Sequence, residues 1–295
     1  MLIAFLYFFV IIYFTIFRGD IMEKIATTNL GLIITEKCNL NCRHCLMGGA
    51  TNRVMSDEVI EATLGQFKYI MNLCICGGEP TLALDRMKKI FDYVIQNKIL
   101  VDNVSVTING TIYSKEFLVL LDQIEDFINP KHKKPVRTNF RISYDVFHGE
   151  ELNRSGLIDK YVENVERYSK SPYFGRLAKL GSKVFREGNA ENLDSRITVP
   201  FHPYKMLITY VGSKHELDTE NGLCYIGPFI TISPDGIVTE CDASIEHQLN
   251  EYNYGSVLEN SIEDIFLNKN VSVVKPKRMY RSVNKEVKRY LNQLR

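Results

Sequence analysis

From Asn29 to Tyr168 the sequence alternates short apolar, β-prone runs with stretches patterned for amphipathic helices, and this alternation is its strongest constraint on fold. Leu30–Thr35, Ile70–Cys76, Val101–Ile108 and Phe140–Tyr144 are predicted strands. Ser56 is placed to cap a helix whose apolar positions are Val59, Ile60, Leu64, Phe67 and Ile70. A second helix, Thr81–Gln96, turns Leu82, Leu84, Met87, Ile90, Phe91 and Val94 inward. Ser114–Phe127 and Leu157–Tyr168 complete the series. Repeated strand–helix units imply an α/β fold on a parallel sheet with right-handed crossovers. At 295 residues, 45% hydrophobic and 24% charged, the chain has material for a sizeable core and is neither disordered nor fibrous.

Chemistry in such sheets gathers at the carboxyl ends of the strands. Cys38, Cys42 and Cys45 follow the first strand, and Gly77-Gly78-Glu79-Pro80 follows the second. Asn109-Gly110 follows the third, and Ser143 lies at the end of the fourth. All four motifs therefore fall on one rim. Ser171–Arg196 is irregular and reads as the frayed end of the barrel and a boundary. Beyond it, Phe229–Ser233 and Ile237–Glu240 flank Pro234-Asp235-Gly236 as a tight hairpin.

The triplet has the spacing C-x3-C-x2-C. A structural zinc site wants four ligands, and one close triplet supplies three, with His44 able in principle to add a nitrogen. An odd cluster on a short loop cannot pair internally as disulfides. Three thiolates on a loop suit a [4Fe–4S] cube with one iron left without a protein ligand. Cys74 and Cys76 lie on the second strand and read as buried thiols, one toward the core and the other toward the opposite layer.

C-x3-C-x2-C with His44 just before the last Cys resembles the signature of the radical S-adenosylmethionine (SAM) enzymes. Gly77-Gly78-Glu79-Pro80, after a buried strand, looks like that superfamily's motif for the methionine amino group of SAM. Glycines let a backbone approach a ligand closely, and a carboxylate accepts hydrogen bonds from an ammonium. The resemblance implies a partial (β/α)6 TIM-like barrel. It implies Cys38, Cys42 and Cys45 as cluster ligands, with SAM on the fourth iron. His44 would pack on the adenine, Ser143 would contact the ribose, and Asn109 would make a polar contact to SAM. Reductive cleavage of SAM would give a 5'-deoxyadenosyl radical that abstracts hydrogen from a substrate. No residue is assigned to catalysis on the substrate itself. An electron donor such as flavodoxin or ferredoxin is implied as a partner.

Cys224 and Cys241 frame the hairpin as C-x11-G-x4-C. This resembles the start of the auxiliary-cluster module in the SPASM and twitch branches, which are rich in peptide maturases. Tyr254-Gly255-Ser256-Val257 and Ser261–Phe266 look like the segment that follows, and Gly188-Asn189-Ala190 weakly resembles a Gly-Arg-Ala run before it. No cysteine follows Cys241, so a full auxiliary set is absent and a metal-free hairpin is expected. A peptide or protein side chain is the first expectation for substrate. The alternatives are a small-molecule or cofactor-pathway radical SAM enzyme and a membrane-tethered iron–sulfur protein for binding or electron transfer.

Met1–Phe17 carries no charge and reads either as a membrane anchor or as sequence upstream of a true start at Met22. A SAM-cleaving cluster needs a reducing compartment, so the body is expected in the cytoplasm or anchored facing it. Net charge is +1, which gives no general attraction to nucleic acid. Lys275–Arg295 is basic and reads as a solvated terminal helix, and Lys131–Arg137 as an exposed loop. The expected division is a leader at 1–21, a radical SAM core at 22–210, an appendage at 211–270 and a basic helix at 271–295.

Overall fold

The computed structural model describes residues 24–130, 135–178, 184–186, 188–199, 206–211, 223–239 and 253–273. The leader, Cys241 and the basic tail lie outside the described residues, as does most of the basic loop before the fourth strand. Among the described residues no helix is long and apolar enough to cross a membrane.

Five strands run parallel in sequential order: β1 (Lys24–Ile33), β2 (Phe67–Cys76), β3 (Leu100–Ile108), β4 (Thr138–Ser143) and β5 (Phe174–Ala178). The helices between them are α1 (Asp57–Leu64), α2 (Leu84–Gln96), α3 (Lys115–Ile128), α4 (Val146–Arg154) and α5 (Ile158–Tyr168). The α/β class and the parallel sheet are as the sequence predicts, and the sheet is open rather than closed into a barrel. Ser56 caps α1 by accepting from the Val59 N–H, and Ser114 caps α3 by accepting from Phe117. On β2, Tyr69, Leu73 and Ile75 are buried, while Asn72, Cys74 and Cys76 are half-buried on the other face. Cys74 and Cys76 thus share a face, which corrects the expectation of opposite layers: side chains two apart on a strand point the same way.

Other boundaries also differ from the sequence reading. The first helix stops at Leu64, and Phe67 and Ile70 belong to β2. The second is broken at Ala83, leaving a short 3-10 turn at Pro80–Leu82 and an exposed Leu82. β5 lies inside the stretch read as irregular; its edge position leaves Gly175 and Arg176 exposed, so no apolar alternation marks it.

The remaining strands are β6 (Val184–Phe185), β7 (Thr198–Val199), β8 (Leu207–Val211), β9 (Leu223–Gly227), β10 (Phe229–Ile232), β11 (Ile237–Thr239), β12 (Gly255–Ser256) and β13 (Ser272–Val273). β6 and β7 form a separate small sheet. β9 and β10 both pair in parallel with β1, along its first and second halves. β10 and β11 form the predicted hairpin, with Gly236 at φ +79° in the turn. The hairpin therefore continues the main sheet. Helix α6 (Ile262–Asn268), capped by Ser261, buries Ile262, Ile265 and Phe266 in the same core.

Candidate active site

The β1–β2 ladder continues past both strands into their loops. Gly78 N–H donates to Thr35 O at 2.7 Å and Glu79 N–H to Lys37 O at 2.7 Å. A Cβ at Gly77 would lie 2.4 Å from Thr35 O, and one at Gly78 would lie 2.3 Å from Lys37 O. Both glycines are thus required by the close approach of the two loops to each other, not only by the approach of a ligand. This braid brings the Gly-Gly-Glu motif alongside the entry to the cysteine loop.

Glu79 is fully buried. Its Oε1 accepts from Thr81 N–H at 3.0 Å and from the Thr81 hydroxyl at 2.5 Å, and its Oε2 accepts from Asn109 N–H at 2.6 Å. Burial pushes its pKa up against these donors. The carboxylate is therefore engaged by its own chain: it caps the Pro80–Leu82 turn and ties the end of β2 to that of β3. Pro80 sits at the first position of that turn, where its missing N–H costs nothing.

Asn109 is a junction. Its amide nitrogen donates to Asn39 Oδ1 at 2.8 Å and reaches Cys38 Sγ at 3.9 Å. Its Oδ1 accepts from Thr111 N–H and hydroxyl, and its backbone oxygen lies 3.0 Å from His148 Nε2. Both side-chain atoms expected to reach SAM are engaged within the protein. Ser143 ends β4 on the inner face; its backbone oxygen accepts from the Tyr161 hydroxyl, and its own hydroxyl has no partner among the described residues.

Cys38, Cys42 and Cys45 are free thiols, half-buried on one loop. Burial is the largest cause raising all three pKa values, to about 11 for Cys38 and about 12 for Cys42. Mutual repulsion adds to this: Cys45 and Cys38 push Cys42 further up. Burial and crowding favour the protonated thiols, and bound iron would take the place of those protons. Among the described residues no set of His, Cys, Asp and Glu is arranged around a single metal ion. A cube places each thiolate on a separate iron, so this donor set fits a cluster better than zinc.

The loop is gripped from outside. Asn189 donates its backbone N–H to Cys45 O at 3.0 Å and its side-chain amide to Cys42 O at 3.1 Å. A Cβ at the preceding Gly188 would lie 2.4 Å from Leu46 O. On the other side Glu151 accepts from Asn41 N–H at 3.0 Å. His148 places Nδ1 3.8 Å from Cys42 Sγ, and burial lowers its pKa. His44 stacks on Phe147 at 4.9 Å between ring centroids and sets Nε2 3.5 Å from Asp145 Oδ2, so one of the faces expected to meet adenine is covered. Asp145 also caps α4 by accepting from His148 N–H. The sequence reading missed Asp145, His148 and Glu151 with their helix; Asp145 as an N-cap three residues before His148 was the available signal.

Cys224 is fully buried on β9, in the hydrophobic core and away from the hairpin turn.

Residues 32–175 match the family model described as the Radical SAM superfamily. Similar curated proteins include GTP 3',8-cyclase of Limosilactobacillus fermentum, 28% identical over 172 residues, or 54% of this chain and 46% of that protein. GTP 3',8-cyclase of Lactiplantibacillus plantarum is 25% identical over 224 residues, or 66% of this chain and 62% of that protein. The chain spans about half the length of the curated relatives it matches. Among solved structures, native anSMEcpe with bound AdoMet and Cp18Cys peptide aligns over 82% of this chain and 80% of its own, at TM-score 0.42 and 14% identity. Streptococcus suis SuiB bound to S-adenosylmethionine aligns over 82% and 65%, at TM-score 0.40 and 14% identity. The matched core, residues 32–175, is a radical SAM domain, of the superfamily whose enzymes use a [4Fe–4S] cluster and SAM.

Proposed function

We propose that Cys38, Cys42 and Cys45 hold a [4Fe–4S] cluster and that the rim formed by Gly77, Gly78, Glu79, His44, Asn109 and Ser143 shapes the SAM site. The observation that carries this reading is the braid of the cysteine loop with the Gly-Gly-Glu loop, locked by Asn109. When bound, the cluster would supply an electron and SAM a reductively cleavable carbon–sulfur bond, the chemistry needed to take hydrogen from a substrate. The chain's own residues present the thiols, fix the loop and shield the site from water. Glu79 acts by holding the ends of β2 and β3 in place, and Ser143 offers a free hydroxyl to the ribose.

The first substrate reading is a peptide or protein side chain. The Phe229–Thr239 hairpin with its following β12 and α6 supports it, as the start of a SPASM- or twitch-like appendage. The buried Cys224 supports a metal-free form of that appendage. The second reading is a small-molecule substrate, favoured by the matches to GTP 3',8-cyclases. A flavodoxin or ferredoxin would supply the electron, in a reducing cytoplasm.

Anaerobic reconstitution with iron, sulfide, dithionite and SAM should yield 5'-deoxyadenosine. Cluster-loaded protein that gives none would refute the enzyme reading. Scoring hydrogen transfer into candidate peptides and nucleotides then separates the two substrate readings.

A further inference from the structure

The inner face of the sheet, opposite the helices, is polar. Asn29, Asn72 and Asn103 form a cross-strand amide chain, with Asn72 donating to Asn29 at 3.0 Å and Asn103 to Asn72 at 3.1 Å. Nearer the rim on the same face lie Cys74 and Ser105, joined at 3.4 Å, and then Arg141 on β4. Arg141 shares its face with Ser143, because Phe140 and Ile142, which alternate with them, are buried against the helix layer. Its register partner on β5 is Arg176. Neighbouring strands are about 4.8 Å apart, so the two arginines spring from adjacent positions on β4 and β5, about 7 Å along the strand from Ser143.

Neither guanidinium makes a hydrogen bond or ion pair among the described residues. Every other arginine among them is held by a carboxylate or a hydroxyl. Like charges on adjacent strands disfavour the fold. A local conflict of this kind, on a face where no described residue from Asn103 and Asn139 up to the rim is acidic, marks a site rather than a scaffold. Two planar forks with free donors match an oxyanion bidentately.

We propose that Arg141 and Arg176 clasp an anionic group of the substrate, a phosphate or a carboxylate, one layer below the SAM rim. The clasp rests on the radical SAM reading for its place in the reaction, and its anion binding can be measured without turnover. It holds the charged end of the substrate and so directs another part of that molecule toward the rim.

The test is calorimetric titration of the cluster-loaded full chain, at low salt, with inorganic pyrophosphate and with an N-acetylated, C-amidated glutamate peptide. We expect one or both to bind. Arg141→Lys and Arg176→Gln should each weaken binding at least tenfold, while Arg196→Gln, already held by Asp194, should not. Binding of pyrophosphate alone points to a phosphorylated substrate, and binding of the glutamate peptide alone to a carboxylate. Failure of both probes to bind, or binding that both variants retain, overturns the clasp. A parallel loss of SAM affinity would reassign the pair to the methionine carboxylate and overturn it equally. Thermal melts of each variant separate loss of binding from loss of fold. Absence of 5'-deoxyadenosine from the wild-type chain would refute the enzyme reading but leave the anion titration standing.

Discussion

Asn109 donates its backbone N–H to Glu79 Oε2 across 2.6 Å, joining the ends of β3 and β2 directly beside the cysteine loop. The same asparagine's side chain holds Asn39 and reaches Cys38, so a rigid sheet edge sets the position of a loop that has no regular structure of its own. A cluster site built this way inherits its precision from the strands.

The thiols give the most direct test. Cys38→Ala should remove the iron-dependent visible absorbance of a thiolate-bound cluster and lower 5'-deoxyadenosine formation by at least about a hundredfold, two decades of rate. Cys224→Ala should leave iron content unchanged, since this thiol sits in the apolar core. Its cost should appear in the urea midpoint alone.

Gly78→Ala should fail structurally. Its Cβ would stand 2.3 Å from Lys37 O, a backbone atom that cannot swing aside. Overpacking of this kind costs about 1–3 kcal/mol. Because the strain falls on the braid, denaturant titration should show the loss together with weakened iron retention.

Asn189→Ala removes the side-chain bond to Cys42 O but keeps the backbone bond to Cys45 O. One such bond contributes about 0.5–1.5 kcal/mol, so stability should fall slightly. The larger effect should be kinetic: iron released to a chelator should leave severalfold faster than from wild type. Equal release rates would show that Gly188-Asn189 packs on the loop without holding it.

Acid stability should depend on Glu125. This carboxylate is buried at the end of α3, which pushes its pKa up, but donors from Asn129 (2.8 Å), Thr138 (2.7 Å) and Arg137 (3.1 Å) outweigh burial and hold it below the usual carboxylate range. A depressed folded pKa contributes stability above the unfolded value of about 4.3, lost as pH falls through the folded value. Urea midpoints should therefore drop below that pH. Glu125→Gln should lower stability at neutral pH and flatten the acid limb.

The sequence made the repeating strands and helices legible because their apolar periods are long and one cap is explicit: Ser56 caps as predicted, and the structure adds Ser114 and Ser261. It misled where two periods overlap. Phe67 and Ile70 continue the spacing of α1, yet Gly65 ends that helix and both belong to β2. Short elements with mixed exposure, β5 and α4, carry no such period and were missed. At the site, the motif residues were readable, but their partners were not. Asn189 and His148 lie more than 100 positions from the cysteines in sequence, and only the fold brings them to the loop.

The pairing of β1 with β9 and β10 has a consequence for how the protein is made. The first strand of the sheet finds its second neighbour in the last quarter of the chain, as the contact between Thr28 and Tyr225 shows. At ribosomal rates of roughly 5–20 residues per second, about 10–40 s separate their emergence. Through that interval one edge of β1 has no native partner, and a bare edge invites pairing with another chain. Synthesis of this protein therefore carries a window of aggregation risk that closes only when Phe229–Ile232 arrives.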